Sequence, residues 1–276
     1  MLKFNWKLLV ILMLAFSLVF ALIGCSQQKS KNQSQSNKNQ EKSVPNSLIA
    51  VDDKLKELID QLRVIRQMKE KKKELKTDSK EGSKKEEANS EDQKLGEKFK
   101  SITNKDFKKE WSKAEELVRQ VNKQWNNYEV TAQKDNADQL VIRQFKDNLN
   151  KSIEAVKDNN TQKSLVNSNK LNLDLVPFFK LYKTKKPVEL RELQFYGQEI
   201  LFLKDKWNKK KEDINKSKEV LPRLKSKIKK KKISQDKFSK LKNSILDLEE
   251  VIQQKKDKLV DVKARVMLDN IKGFKQ

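Results

Sequence analysis

The chain is 276 residues long and carries 63 lysines and arginines against 39 acidic residues, a net charge of +24, with no histidine and a single cysteine. The missing histidine removes the commonest general base and metal ligand, and with it Ser-His-Asp triads and histidine-bearing zinc or iron sites. One cysteine cannot close an internal disulfide, and five scattered glycines build no phosphate-cradling loop. Charged residues make up 37% and apolar ones 36%, a balance that suits long solvated helices, and the few glycines and prolines argue against a turn-rich β fold. The expected fold is all-α, an elongated antiparallel helical bundle. The basic excess is almost all lysine. Arginine, which forks onto phosphates and guanine edges, is confined to Arg63, Arg66, Arg119, Arg143, Arg191, Arg223 and Arg265. That pattern fits diffuse attraction to an anionic surface better than reading of nucleic acid. AT-rich coding, which raises Lys, Asn and Ile together, accounts for the same excess, and the two readings are compatible.

At the N-terminus, Lys3 and Lys7 precede an apolar run from Leu8 to Ile23, closed by Leu22-Ile23-Gly24-Cys25. The run is short for a membrane-spanning helix, which needs about 20 residues. Its flanks match a secretory signal peptide over residues 1–24. The segment resembles the signal peptide and lipobox of bacterial lipoprotein precursors. The resemblance implies a diacylglyceryl group on the Cys25 thiol, cleavage before Cys25, an N-acyl lipid on the new terminus, and residence on the extracytoplasmic face of a membrane. Two or more acyl chains anchor durably where one does not. Ser26 follows the cysteine; aspartate there often retains lipoproteins at an inner membrane, so the resemblance permits an outer-membrane address if the organism has one. The alternative reading is an uncleaved N-terminal anchor with an incidental cysteine.

Residues 25–47 follow as a polar tether. Between Ser26 and Ser47, 15 of 22 residues are Ser, Gln or Asn, too polar to bury a core. As a coil the tether spans about 25–30 Å. Residues 48–76 read as a coiled-coil-like helix, with Leu48, Val51, Leu55, Leu58, Leu62 and Ile65 spaced 3, 4, 3, 4, 3. That seam either docks on the rest of the chain or pairs with a second copy or another protein through 48–65. Residues 77–98 read as a charged linker.

Residues 99–276 read as the bundle domain. A helix capped by Thr103 or Asn104 turns Trp111, Ala114, Leu117, Val118, Val121, Trp125 and Tyr128 inward. The next runs from Ala137 to Asp158 with Leu140, Val141, Phe145, Leu149, Ile153 and Val156 inward. Asn159-Asn160-Thr161 ends it and caps a third, which Pro177 kinks or restarts. A fourth follows Pro187. A fifth spans Asp205 to Leu221, where Pro222 interrupts it. A last helix from Ser234 carries Phe238, Leu241, Ile245, Leu248, Ile252, Leu259, Val262 and Val266 as one seam, with Lys255 as its weak point.

Two stretches stand out. Leu175 to Ile200 concentrates aromatics, two prolines, Lys185, Lys186 and Arg191, and places Gly197 inside a helix. A mid-helix glycine costs up to about 1 kcal/mol against alanine and marks a close approach by another helix or a ligand. The stretch is either a core-packing hairpin or a ligand groove walled by Trp125, Tyr182 and Tyr196. In the groove reading Arg191 is an anion hook and Glu199 an embedded acid; otherwise Glu199 pairs with a lysine or Arg191. The second stretch is Lys204 to Lys232, with 14 basic and four acidic side chains. Its densest part, Lys225, Lys227, Lys229, Lys230, Lys231 and Lys232, lacks the interleaved aromatics of nucleic-acid platforms. It reads as a contact for anionic lipid or wall polymer, or as a solvated helix end.

The chain also resembles the small Lys/Glu-rich helical lipoproteins of low-GC Firmicutes, including those described as cell-wall-binding; the signal and lipobox, about a tenth of the chain, match specifically and the rest matches in style, not motif. The expected function is therefore non-catalytic: a membrane-anchored binding or structural protein of the envelope, with no cofactor beyond the lipid on Cys25. The alternative is a solute-binding or accessory lipoprotein of a transporter that uses the 175–200 groove.

Overall fold

The 3, 4, 3, 4, 3 seam builds helix α1, Asn46–Asp78. In the computed structural model, which describes residues 42–78, 103–231 and 234–275, Leu48, Val51, Leu55, Leu58, Leu62 and Ile65 are all fully buried within the chain. The seam is thus covered by the chain's own bundle, the docked one of the two alternatives for 48–65. The helix also belongs to the bundle rather than preceding it. The signal peptide, Cys25, the tether before Lys42, nearly all of the 77–98 linker, and Lys232 lie outside the described residues.

The remaining helices are α2 (Asn104–Lys134), α3 (Gln139–Lys157), α4 (Thr161–Asp174), the short α5 (Val176–Lys180), α6 (Glu189–Phe202), α7 (Trp207–Lys231), α8 (Gln235–Gln253) and α9 (Asp257–Lys272). The fold is all-α. Helix α1 packs on α2, α2 on α3, α3 on α4, and α4 back on α1. The same closed circuit recurs as α6, α7, α8 and α9. The expected bundle is therefore two four-helix bundles, joined through the contact of α4 with α6.

Local chemistry sets the helix ends. Thr103 caps α2 in a reciprocal capping box with Asp106, and Asn160 caps α4 by accepting from the Lys163 amide. Helices α2, α3 and α8 end alike, with Asn136, Asn159 and Lys255 in the left-handed region at φ 58°, 53° and 54°. The next amide then reaches back: Ala137 N–H to Ala132 O, Asn160 N–H to Ala155 O and Lys256 N–H to Val251 O. Asparagine tolerates that backbone; lysine pays about 1–2 kcal/mol for it.

Several expected boundaries change. Lys255 splits the expected last helix, and the break resets its helical phase. Val260, Ala264, Met267, Leu268 and Ile271 face inward instead, leaving Leu259, Val262 and Val266 between 44% and 56% exposed. Leu140 is also outward, at 64% exposure, because α3 starts after the Asp138 cap and buries Ile142. Helix α7 continues through Pro222 to Lys231. Pro222 is exposed, so its missing amide hydrogen bond falls on the solvated side. Pro177 restarts the chain as α5.

Gly197 meets its expectation of close approach by a helix. A Cβ there would stand 3.0 Å from Leu268 Cδ2 and 3.6 Å from Met267 Cε, both on α9. Gly197→Val is expected to destabilise the fold by about 1–3 kcal/mol, the range for forcing extra carbons into a packed core. A urea midpoint at or above that of the unmodified protein would show that α9 yields freely.

Candidate functional site

The residues expected to wall a ligand groove do not converge. Trp125 is 1% exposed and stacks on Phe145 at a centroid distance of 3.9 Å. Tyr182 is buried; its hydroxyl donates to Asp135 Oδ2 at 2.7 Å and lies 3.3 Å from the Tyr128 hydroxyl. Both belong to the core of the first bundle. On α6 the helical repeat separates the rest. Arg191, Gln194 and Gln198 share one face, whereas Glu192, Tyr196 and Glu199 lie more than a third of a turn away. Tyr196 is half-buried and edge-on to Phe195. Glu199 is buried and accepts from Asn169 Nδ2 at 2.9 Å, so its partner is neither a lysine nor Arg191.

Arg191 is committed elsewhere. Its guanidinium forks onto Asp52 of α1 at 2.5 and 2.8 Å and lies 3.6 Å over the Phe179 ring. Burial pushes the Asp52 carboxyl up, but the Arg191 fork and nearby Lys56 outweigh it and hold the group below its ordinary range. The expected anion hook is therefore a clamp between the bundles. Arg66 adds a second link, donating to Leu201 O at 2.9 Å.

Sequence reasoning missed a polar layer along α4, α6 and α7. Lys210, Asp213 and Ser217 are almost fully buried. Counting back from Ile228 and Leu224 in steps of three and four lands on Ser217, Asp213 and Lys210, so the signal was a core stripe with polar members. Lys210 reaches Asp257 at 3.0 Å and lies 4.5 Å over the Trp207 ring. Lys209 Nζ stands 3.1 Å from Asp213 Oδ1, yet neither Asp213 oxygen is hydrogen-bonded among the described residues. Burial pushes the Asp213 carboxyl up, against the pull of Lys209. Glu199 is likewise pushed up, first by burial and further by Asp213.

A carboxyl raised in the folded state stabilises the fold in acid, and that contribution is lost as pH rises through the raised value. The groups facing Asp213 are Lys209, Glu212 and Lys216 of α7 and Glu199 and Tyr196 of α6. Asp213→Asn is therefore expected to raise the melting temperature at neutral pH. The gain should disappear as pH falls towards the ordinary aspartate value of 3.8. A gain that is constant across that range would dissociate it from ionisation.

Two surfaces carry the basic residues of the two distinctive stretches. One is a groove of about 490 Å³ between α1, the 184–188 loop, α6 and α9. Of the expected site residues it includes Arg191 alone, together with Lys185 and Lys186 from the same stretch. The other is the C-terminal end of α7. Earlier in that helix most cations meet carboxylates, Lys211 excepted: Lys209 and Lys216 meet Glu212, Lys218 meets Glu249 at 2.7 Å, and Arg223 meets Glu192 at 2.7 Å. Lys225, Lys227 and Lys229 are exposed, and none forms an ion pair with another described residue. Lys230 and Lys231 continue the same helix.

Among the described residues no group of three Cys, Asp or Glu side chains is placed to hold a metal, and no helix is long and apolar enough to cross a membrane. No protein-family model matches the chain, and comparisons with curated proteins and with solved structures gave no match either.

Proposed function

We propose that this protein is an extracytoplasmic lipoprotein, held to the membrane through Cys25, whose helical domain binds anionic envelope polymer along the end of α7. The supporting observation is the change in charge balance along that helix. Its first turns offset lysine with glutamate and aspartate, and its last turns present Lys225, Lys227 and Lys229 to solvent without a carboxylate partner among the described residues. Lysine at a helix C-terminus also favours the helix dipole, by about 0.3–1 kcal/mol per charge. That alone requires one or two cations rather than a row. A lysine row binds as a set of point charges, so affinity should fall with salt.

The test uses full-length protein with Cys25→Ser, so that retention is read without the lipid. It should pellet with purified cell wall at low salt and be released as salt rises. Lys225→Glu, Lys227→Glu and Lys229→Glu together should reduce retention at least tenfold, while the melting temperature falls only by the lost helix-dipole contribution. Retention indifferent to salt and to the three substitutions would refute the reading. In cells, the unmodified chain should fractionate with membranes and Cys25→Ser should not.

A further inference from the structure

We propose that the groove between α1, the 184–188 loop, α6 and α9 is a binding site for a monomeric, single-chain anionic amphiphile. The proposal does not depend on the role of α7. The volume of about 490 Å³ lies within the range of small-molecule sites, about 300–1,000 Å³. The surface is two-natured. Its floor is apolar and includes Ile59, Leu190, Leu268 and Ile271. Ile49 stands at its side 41% exposed, where an apolar tail would cover it.

The rim is cationic. Lys56, Arg63, Lys185, Lys186, Arg191 and Lys272 line the groove against one lining carboxylate, Asp60. Several of these cations have carboxylate partners: Arg191 and Lys56 contact Asp52, and Arg63 contacts Asp60 at 2.9 Å. Lys185 is exposed and forms no ion pair with a described residue. Arg63 is only half-buried yet lies against Phe202 and near Arg265 and Arg66. Burial holds its guanidinium below its usual range, against the pull of Asp60. At the inner end, the Gln198 side-chain oxygen accepts from Asn172 Nδ2 at 3.2 Å. Lys272 also meets Asp269 at 2.9 Å, so the charged head belongs beside Lys185 at the rim with its tail on the floor; a neutral solute would leave Lys185 unmatched and an ionic polymer would leave the floor wet.

The probe is dodecyl phosphate below its micelle concentration, titrated calorimetrically into full-length protein carrying Cys25→Ser. One-to-one saturable binding is expected. Lys185→Glu and Ile49→Glu change exposed side chains and should leave the melting temperature unchanged; each should weaken binding at least tenfold. Lys225→Glu, remote on α7, should bind as the unmodified protein does. Dodecyl maltoside, with the same tail and no charge, should bind at least tenfold more weakly. The proposal falls if dodecyl phosphate does not saturate, if the maltoside binds equally well, or if Lys225→Glu weakens binding as much as the two groove variants.

Discussion

Trp125→Ala should cost about 3–5 kcal/mol of folding stability, the loss typical of a large aromatic removed from a packed core. The indole is 1% exposed and sits among three rings: Phe145 stacked at 3.9 Å, Phe178 at 5.2 Å and Tyr128 at 5.8 Å. Truncation would open a cavity lined by rigid neighbours that cannot all collapse into it. Trp125→Phe should cost much less. It retains the ring contacts and removes an indole N–H that has no hydrogen-bond partner among the described residues. Urea unfolding would measure both variants. A loss below about 1 kcal/mol for the alanine variant would mean that the ring cluster does not hold the first bundle together.

Asp52→Ala should be the second most damaging change, at about 3 kcal/mol. Breaking a buried ion pair by removing one partner costs roughly 3–5 kcal/mol because the other charge is left uncompensated. The low end applies here, since the Arg191 side chain is 27% exposed and keeps some water. Asp52 belongs to α1 and Arg191 to α6, so the substitution also removes a link between the bundles. The pair gives a distinct pH signature. The Asp52 carboxyl is depressed in the folded state, so its stabilisation is present above the unfolded aspartate value of 3.8 and is lost as pH falls through the lower folded value. The unmodified protein and Asp52→Ala should therefore converge in acid. A double-mutant cycle with Arg191→Leu would isolate the pair, and a coupling near zero would overturn the assignment.

The local elements were legible where one period dominated. The α1 seam repeats over six residues, and every member is buried. Asn159 and Asn160 announced both the end of α3 and the cap of α4, because asparagine tolerates left-handed backbone and accepts from a free amide. Leu259, Val262 and Val266 misled for a physical reason. Apolar spacing records a face without saying what lies opposite, and a single left-handed residue at Lys255 rotated that face to solvent. The candidate site was less legible. Arg191 was visible as a cation among aromatics, but its partner Asp52 lies 139 residues earlier, beyond any local pattern. The groove likewise draws on α1, α4, α5, the 184–188 loop, α6 and α9, which only the packing of the two bundles brings together.

The entry of the chain into the first bundle has a mechanical consequence. Lys183 N–H donates to Lys42 O at 2.8 Å, Ser43 and Lys183 form an isolated parallel bridge, and Lys42 Nζ meets Asp135 at 2.5 Å. Tension transmitted along the N-terminal segment would load this small clasp before it reached α1. Once the clasp opened, the force would peel α1 from its leucine seam one turn at a time, starting at Leu48. Peeling breaks contacts in sequence, whereas shearing loads them together, so α1 would yield at low force while the second bundle kept its own closed circuit of helices. Under the function proposed above, the chain would then lengthen under strain, by releasing one helix, before it let go.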